Sequence, residues 1–372
     1  MRPSWIGLLL SLALPALASA ACPPVPCLAD GTQSSGAVYR ICMPAPGCWN
    51  GSLLLFAHGY VSPDQPVGIP ENQLTLNGVS LPVLVNQLGF AFALSSYRKN
   101  GLAIREGVED TEDLVNIFTA QFGRPNKTYL TGASEGGLVA ALSSEQLPSV
   151  YTGALPACGP IGDFHVQLNY IGDFRVVFDY FFPGLIPGSP VTIPAEVMTD
   201  WTTLYVPKIL AAFQSNPSAT AQLLMVTKFP QGPDANTTQQ AMVELLWYNV
   251  FATNDAITEL GGQPFDNHGR IYFGSSNDIL LNLKVERFRA DPVATAEIAA
   301  HYQTKGKLSI PSVTLHTLAD PIVPWVHEPL YTLKTILAGS ASEHVTIPAA
   351  SYGHCNFQEK DLLLALGVLL LK

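Results

Sequence analysis

Apolar positions along this chain follow two rhythms. Short unbroken runs recur between turn residues, among them Leu53-Leu54-Leu55-Phe56-Ala57 and Phe90-Ala91-Phe92-Ala93-Leu94. A strand without a polar face has to be covered on both sides, so these runs predict parallel strands inside a sheet. Val38 to Met43, Thr128 to Thr131 and Thr152 to Pro156 add further strands. Between them lie segments of helical period: Leu81 to Leu88, Glu109 to Phe122 with an acidic first turn, and Gly137 to Glu145. Strand and helix in alternation predict an α/β class, a doubly wound and mostly parallel sheet. From 159 to 306 the alternation stops, and helix-like stretches such as Ala195 to Phe213 and Gln239 to Phe251 are separated by Pro- and Gly-rich turns. That region reads as an inserted, mainly helical cap, leaving 21–158 and 307–372 as the sheet-bearing core. Strands at Ser312 to Leu318 and His344 to Ile347 resume the sheet, and Leu362 to Leu371 reads as a buried closing helix.

Composition sharpens this picture. Charged residues are 13% of the 372, hydrophobic ones 48%, and the mean hydropathy is +0.23. Globular chains carry about 25% charge, so disorder is excluded and the low charge points to a membrane, a glycan coat or a large core. The net charge of −10 and the lack of a basic run exclude nucleic acid as a partner. Met1 to Ala20 combines Arg2, an apolar run from Ile6 to Leu14 and the small residues Ala18-Ser19-Ala20, the pattern of a secretory signal peptide. Neither that run nor Leu362 to Leu371 reaches the ~20 residues of a membrane span, so no stable membrane anchor is expected. Export makes the six cysteines readable as three disulfides: two within Cys22, Cys27, Cys42 and Cys48, in any of their three arrangements, and Cys158 with Cys355. Asn50, Asn126 and Asn236 stand in glycosylation sequons.

The chemistry concentrates in four places. Gly132-Ala133-Ser134-Glu135-Gly136 is a G-x-S-x-G where a predicted strand meets a predicted helix, the setting that exposes a nucleophilic serine on a tight turn. The backbone N–H of Glu135 is one expected oxyanion donor. His58-Gly59-Tyr60 follows the upstream strand, and the N–H of Tyr60 is the second, with His58 itself read as structural. Asp320 lies just past a strand and His354 in the loop after the next, in the Ser, Asp, His order of such folds. His354 would take the Ser134 proton and pass it to the leaving group, with Asp320 holding the imidazole. Asp163, after the previous strand, is the rival acid. The remaining histidines, including His316, His327 and His344, carry no motif and no metal-helix spacing; neither metal nor cofactor is expected.

Together with Trp49-Asn50-Gly51-Ser52-Leu53 and Asp320-Pro321-Ile322-Val323-Pro324, these motifs resemble secreted α/β-hydrolases of the serine esterase type, over about 36–160 and 308–372. The Gly353-His354-Cys355 run is also similar to the tannase and feruloyl esterase group. There a disulfide joins the residue before the serine to the one after the histidine, whereas here Ala133 occupies the first of those positions. The resemblance implies hydrolysis of carboxylic esters, small or polymeric, through an acyl-enzyme. Phe178, Tyr180, Phe181 and Phe182 of the cap are the expected apolar or aromatic substrate pocket. A secreted aminopeptidase-type peptidase and a non-catalytic binding protein on the same fold are the competing expectations.

Overall fold

Leu53 to Ala57 shows how the sheet is built. Leu53, Leu55 and Ala57 point into one buried cluster and Leu54 and Phe56 into another, the period of two that a strand imposes. The computed structural model describes residues 22–76 and 78–372; the expected signal peptide lies outside them. Eight strands form the main sheet: β1 (Gly31–Thr32), β2 (Val38–Cys42), β3 (Ser52–Ala57), β4 (Ala91–Ser95), β5 (Lys127–Ala133), β6 (Gly153–Ala157), β7 (Ser312–Ala319) and β8 (His344–Tyr352). Their spatial order is β1-β2-β4-β3-β5-β6-β7-β8. β2 is antiparallel to both neighbours and every other pair is parallel. This is a doubly wound α/β-hydrolase fold.

Helices cover the two faces unequally. On one side α2 (Ile104–Phe122) and α3 (Glu135–Gln146) pack over Leu53, Leu55 and Leu130. On the other, the short α1 (Leu81–Gln87) and the terminal α12 (Glu359–Leu371) are the only α-helices among the described residues that lie over Leu54, Phe56, Phe92, Tyr129 and Leu155. The closing helix departs from expectation here: α12 fully buries only Ala365 and Leu369, and Leu363, Leu364, Leu370 and Leu371 are exposed. Among the described residues no helix is long and apolar enough to cross a membrane.

Between β6 and β7 the chain forms α4 (Phe164–Phe181), α5 (Ala195–Thr199), α6 (Val206–Ser215), α7 (Pro217–Thr227), α8 (Ala235–Leu260), α9 (Asp278–Lys284) and α10 (Pro292–His301). A break at Asp200 (φ −96°, ψ 7°) and a π turn at Trp201–Tyr205 split the single helix expected over Ala195 to Phe213. The helices α4 to α9 share a core that includes Phe174, Phe178, Phe213, Leu245 and Leu246, while Ala294 and Ile298 of α10 join the cluster under α2 and α3. Arg175 is wholly enclosed within the α4 to α9 core. Its guanidinium donates to Asp179 (2.9 Å), to Asn249 Oδ1 (2.8 Å) and to the carbonyl of Ile186 (3.1 Å), joining α4, α8 and the following loop. The final helix pair, α11 (His327–Ala338) between β7 and β8 and α12 after β8, completes the chain.

Arg175 is fully buried and Asp179 partly so, and removing the cation strands both the Asp179 carboxylate and Asn249 Oδ1. Arg175→Met should therefore lower stability by about 3 kcal/mol, seen as a lower midpoint in urea unfolding followed by tryptophan fluorescence.

Candidate active site

Ser134 sits between the end of β5 and the start of α3 with φ 58° and ψ −121°. A non-glycine residue pays for this region in strain, and the surroundings have to enforce it. They do: the Ser134 N–H donates to Ala157 O (3.0 Å) and its carbonyl accepts from Gly137 N (2.9 Å). The flanking glycines answer to packing. A Cβ on Gly132 would stand 2.0 Å from the Gly136 carbonyl oxygen, and one on Gly136 2.0 Å from that of Ala57. The first turn of α3 thus rests directly on the ends of β3 and β5.

His354 occupies the loop after β8. Its Nε2 is 2.8 Å from Ser134 Oγ and its Nδ1 is 2.8 Å from Asp320 Oδ2. A carboxylate only accepts, so Nδ1–H donates to Asp320 and Nε2 is left to accept from the Ser134 hydroxyl. Asp320 is fully buried, and its other oxygen accepts from the N–H groups of Ile322 and Val323, each at 2.9 Å. The rival acid is elsewhere: Asp163 caps α4, accepting from His165 N (2.9 Å) and Gln303 Nε2 (2.7 Å).

A second buried histidine stands behind Asp320. His316 Nε2 donates to Val323 O (2.8 Å) and lies 3.7 Å from Asp320 Oδ2, while Nδ1 meets Glu328 Oε1 at 3.1 Å. Burial alone would lower the His316 pKa, but the hydrogen bond and charge of Glu328 outweigh it and raise the value. The imidazole therefore holds the carbonyl of Val323, the residue whose own N–H donates to Asp320. Sequence reasoning gave His316 no part; it stands in β7 among the equally buried polar residues Ser312, Thr314 and Thr317, and nothing local marks it.

The turn His58-Gly59-Tyr60 lies against Ser134, with a Gly59 Cβ falling 3.1 Å from Ser134 Cβ. Gln73, another residue missed from sequence, clamps it: Gly59 N–H donates to Gln73 Oε1 (2.6 Å), and Gln73 Nε2 donates to the carbonyls of Gly59 and Tyr60 (3.3 Å each). Neither the Tyr60 nor the Glu135 backbone N–H has an acceptor among the described residues. The pair is available for an anion. His58 is buried, donates from Nδ1 to Gly59 O (2.7 Å) and stacks on Tyr97; burial lowers its pKa and keeps it neutral. The Tyr60 hydroxyl donates to Phe251 O (3.1 Å), tying the turn to α8.

Cys158, just after β6, is bonded to Cys355, next to His354, with Cα atoms 5.4 Å apart. The Cys355 sulfur lies 3.5 Å from His354 Nε2, so the bridge forms one wall beside the imidazole. Cys158, His354 and Cys355 cluster within metal-ligand range, but both sulfurs are committed to the bridge. The other four cysteines pair as Cys22–Cys48 and Cys27–Cys42.

A cavity of about 350 Å³ opens beside Ser134 and His354. Its lining is mostly aliphatic and aromatic, with Gln73, Thr75, Thr131, Ser134 and His354 the polar members, and among the described residues no Asp, Glu, Lys or Arg contributes to it. The expected substrate aromatics are not there. Phe178 and Phe182 pack with Phe213 inside the helical insertion, and Tyr180 and Phe181 are half-buried against the same core. The reason is the helix α4, absent from the sequence reading: its aromatic stripe faces the neighbouring helices rather than the serine.

No protein-family model and no curated protein matches the sequence. Solved structures that match include feruloyl esterase B from Aspergillus oryzae (16% identity, 88% of this chain and 72% of that one, TM-score 0.45). An esterase of Pyrococcus furiosus is similar at 10% identity, 92% of this chain and 89% of that one, TM-score 0.48. An acylaminoacyl peptidase of Pyrococcus horikoshii is similar at 10%, over 90% of this chain but only 38% of its own, TM-score 0.43. At such values these likenesses carry no information on substrate.

Glu135 adds a pH dependence. Its side chain is buried, accepts from Ala103 N–H (2.9 Å), and burial raises its pKa to about 8. The folded state then holds a proton that the unfolded chain loses near the ordinary carboxyl value, so stability drains as pH rises through 5 to 8. Glu135→Gln keeps the acceptor and removes the titration. Its melting temperature should pull steadily above that of wild type across this range, and parallel melting curves would count against the assignment.

Proposed function

We propose that this chain is a secreted serine hydrolase that cleaves carboxylic esters through Ser134, His354 and Asp320. The observation that carries the reading is the continuous hydrogen-bonded line from Asp320 through His354 to a serine held in a strained conformation. Ser134 Oγ attacks the ester carbonyl carbon as its proton passes to His354 Nε2. The carbonyl electrons move onto oxygen, and the N–H groups of Tyr60 and Glu135 receive that charge. Collapse breaks the bond to the alkoxy oxygen, which takes the proton from Nε2 and leaves as an alcohol. A water then repeats the sequence on the acyl-serine, giving the carboxylic acid and restoring Ser134. Asp320 keeps Nδ1 protonated and stabilises the imidazolium of each step.

An uncharged cavity beside the serine favours an ester with an apolar acyl group. A peptidase that grips a free amino terminus needs an acid where the substrate lies, and none lines this cavity. The signal-like first residues and three disulfides are what an oxidising, exported setting calls for. In this reading residues 159–306 form a cap, with α8 reaching the site through Tyr248 and the Tyr60 contact.

A fluorophosphonate probe should label Ser134 and leave Ser134→Ala unlabelled, with circular dichroism unchanged; labelling of the alanine variant at another residue would refute the assignment. Asp320→Asn should reduce kcat on p-nitrophenyl acetate by about 10³–10⁴-fold, the scale set by loss of the correct histidine tautomer, with KM little altered.

A further inference from the structure

The cavity that begins at Ser134 does not run up into the helical insertion. Of the residues between β6 and β7, only Tyr248 touches it. It runs down the sheet face on the sparsely covered side. Its floor is made by Leu54 and Phe56 of β3, Phe92 of β4, Tyr129 of β5 and Leu155 of β6, residues that share one face by strand alternation.

Two helices form its walls. Leu81, Leu84 and Leu88 follow one another at i, i+3 and i+7 along α1 and its cap, and Leu362, Leu366 and Leu369 at i, i+4 and i+7 along α12. Such a stripe ordinarily faces the core and is buried by it. Here Leu81, Leu84, Leu362 and Leu366 are only half-buried and Leu88 is exposed, although the sheet lies beneath them. The two stripes face a common gap. The result is a slot with an apolar floor, two apolar walls and the nucleophile at one end.

The length of the slot can be read in two ways. Seven residues of helix at 1.5 Å per residue give about 10 Å, and the β5 lining from Ala133 down to Tyr129 gives about 13 Å. Carbon–carbon bonds of about 1.5 Å in a zigzag advance about 1.25 Å per carbon. The slot thus matches an extended chain of about eight to ten carbons.

We infer that the slot between α1 and α12 is the acyl site, and that the substrates are esters of straight, medium-chain fatty acids. This inference rests on the reading of Ser134 as the acylated nucleophile. The acyl group stays bonded to Ser134 between the two half-reactions while the alcohol departs after the first, so a deep apolar slot starting at Ser134 suits the acyl half. A long acyl chain supplies the surface that α1 and α12 leave unpaired, and its burial strengthens from carbon to carbon until the slot is full.

Chain-length profiles test this with the full secreted protein. On p-nitrophenyl esters, kcat/KM should climb from acetate to about decanoate, by up to about fourfold per added methylene, and then stop climbing. Leu366→Trp and Leu84→Trp, which fill the slot from opposite walls, should each lower the decanoate-to-acetate ratio of kcat/KM at least tenfold. Partial unfolding lowers both esters together and leaves that ratio in place. Wild type offers an independent readout: fluorophosphonates with a decyl group on phosphorus should label Ser134 faster than those with methyl, whereas the same decyl group on the alkoxy oxygen should give no gain. A flat profile in protein that labels at Ser134 and hydrolyses acetate, an unchanged ratio in both variants, or a gain only from the alkoxy chain would each overturn the inference while leaving the serine hydrolase reading intact. Failure of Ser134 to label would overturn both.

Discussion

The close approach of the first turn of α3 to the ends of β3 and β5 is the contact on which the rest of the site depends. With no room for a Cβ at Gly132 or Gly136, the helix starts tight against the sheet, and Ser134 makes the corner with φ 58°. Its hydroxyl is thereby raised at the carboxyl edge, and the Glu135 N–H emerges beside it. The Gly59 turn then lies in contact with the same corner. One packing constraint thus sets the positions of the candidate nucleophile and of both candidate oxyanion donors, the kind of preorganisation that needs no rearrangement of dipoles during a reaction.

The polar groups behind the serine are held in layers. Asp320 takes two backbone N–H bonds besides His354, and the His316–Glu328 pair holds the loop that supplies them. A buried carboxylate needs a partner for each oxygen; here the loop N–H groups supply one oxygen and His354 the other. On the opposite side of the serine, Gln73 performs the same service for the Gly59-Tyr60 turn. Both supports come from side chains that never approach the serine oxygen.

How far these features could be read from sequence depends on the range of the interaction. The strand and helix alternation was legible because burial on both faces leaves unbroken apolar runs such as Leu53 to Ala57. Ser134, Asp320 and His354 were legible because each sits at a strand end flanked by turn residues, and the structure brings the three together. His316, Gln73 and the α4 helix were not. Their partners lie on other elements, and an isolated His, Gln or aromatic stripe has no local pattern that says what it will meet. The aromatic stripe Phe178 to Phe182 misled for that reason: large apolar groups near a site look alike whether they line a cavity or fill a core. The leucine stripe of α12 misled in the opposite sense, because an all-apolar helix reads as buried even where the neighbouring helix is too short to meet it.

The bridge between Cys158 and Cys355 joins residues 197 positions apart, on either side of the entire helical insertion. Ser134 lies upstream of the first cysteine and His354 directly before the second. A protease that nicks the chain once between the two cysteines divides the polypeptide without dividing the molecule: the fragment carrying the serine and the fragment carrying the histidine remain one covalent body, and part only when the disulfide is reduced.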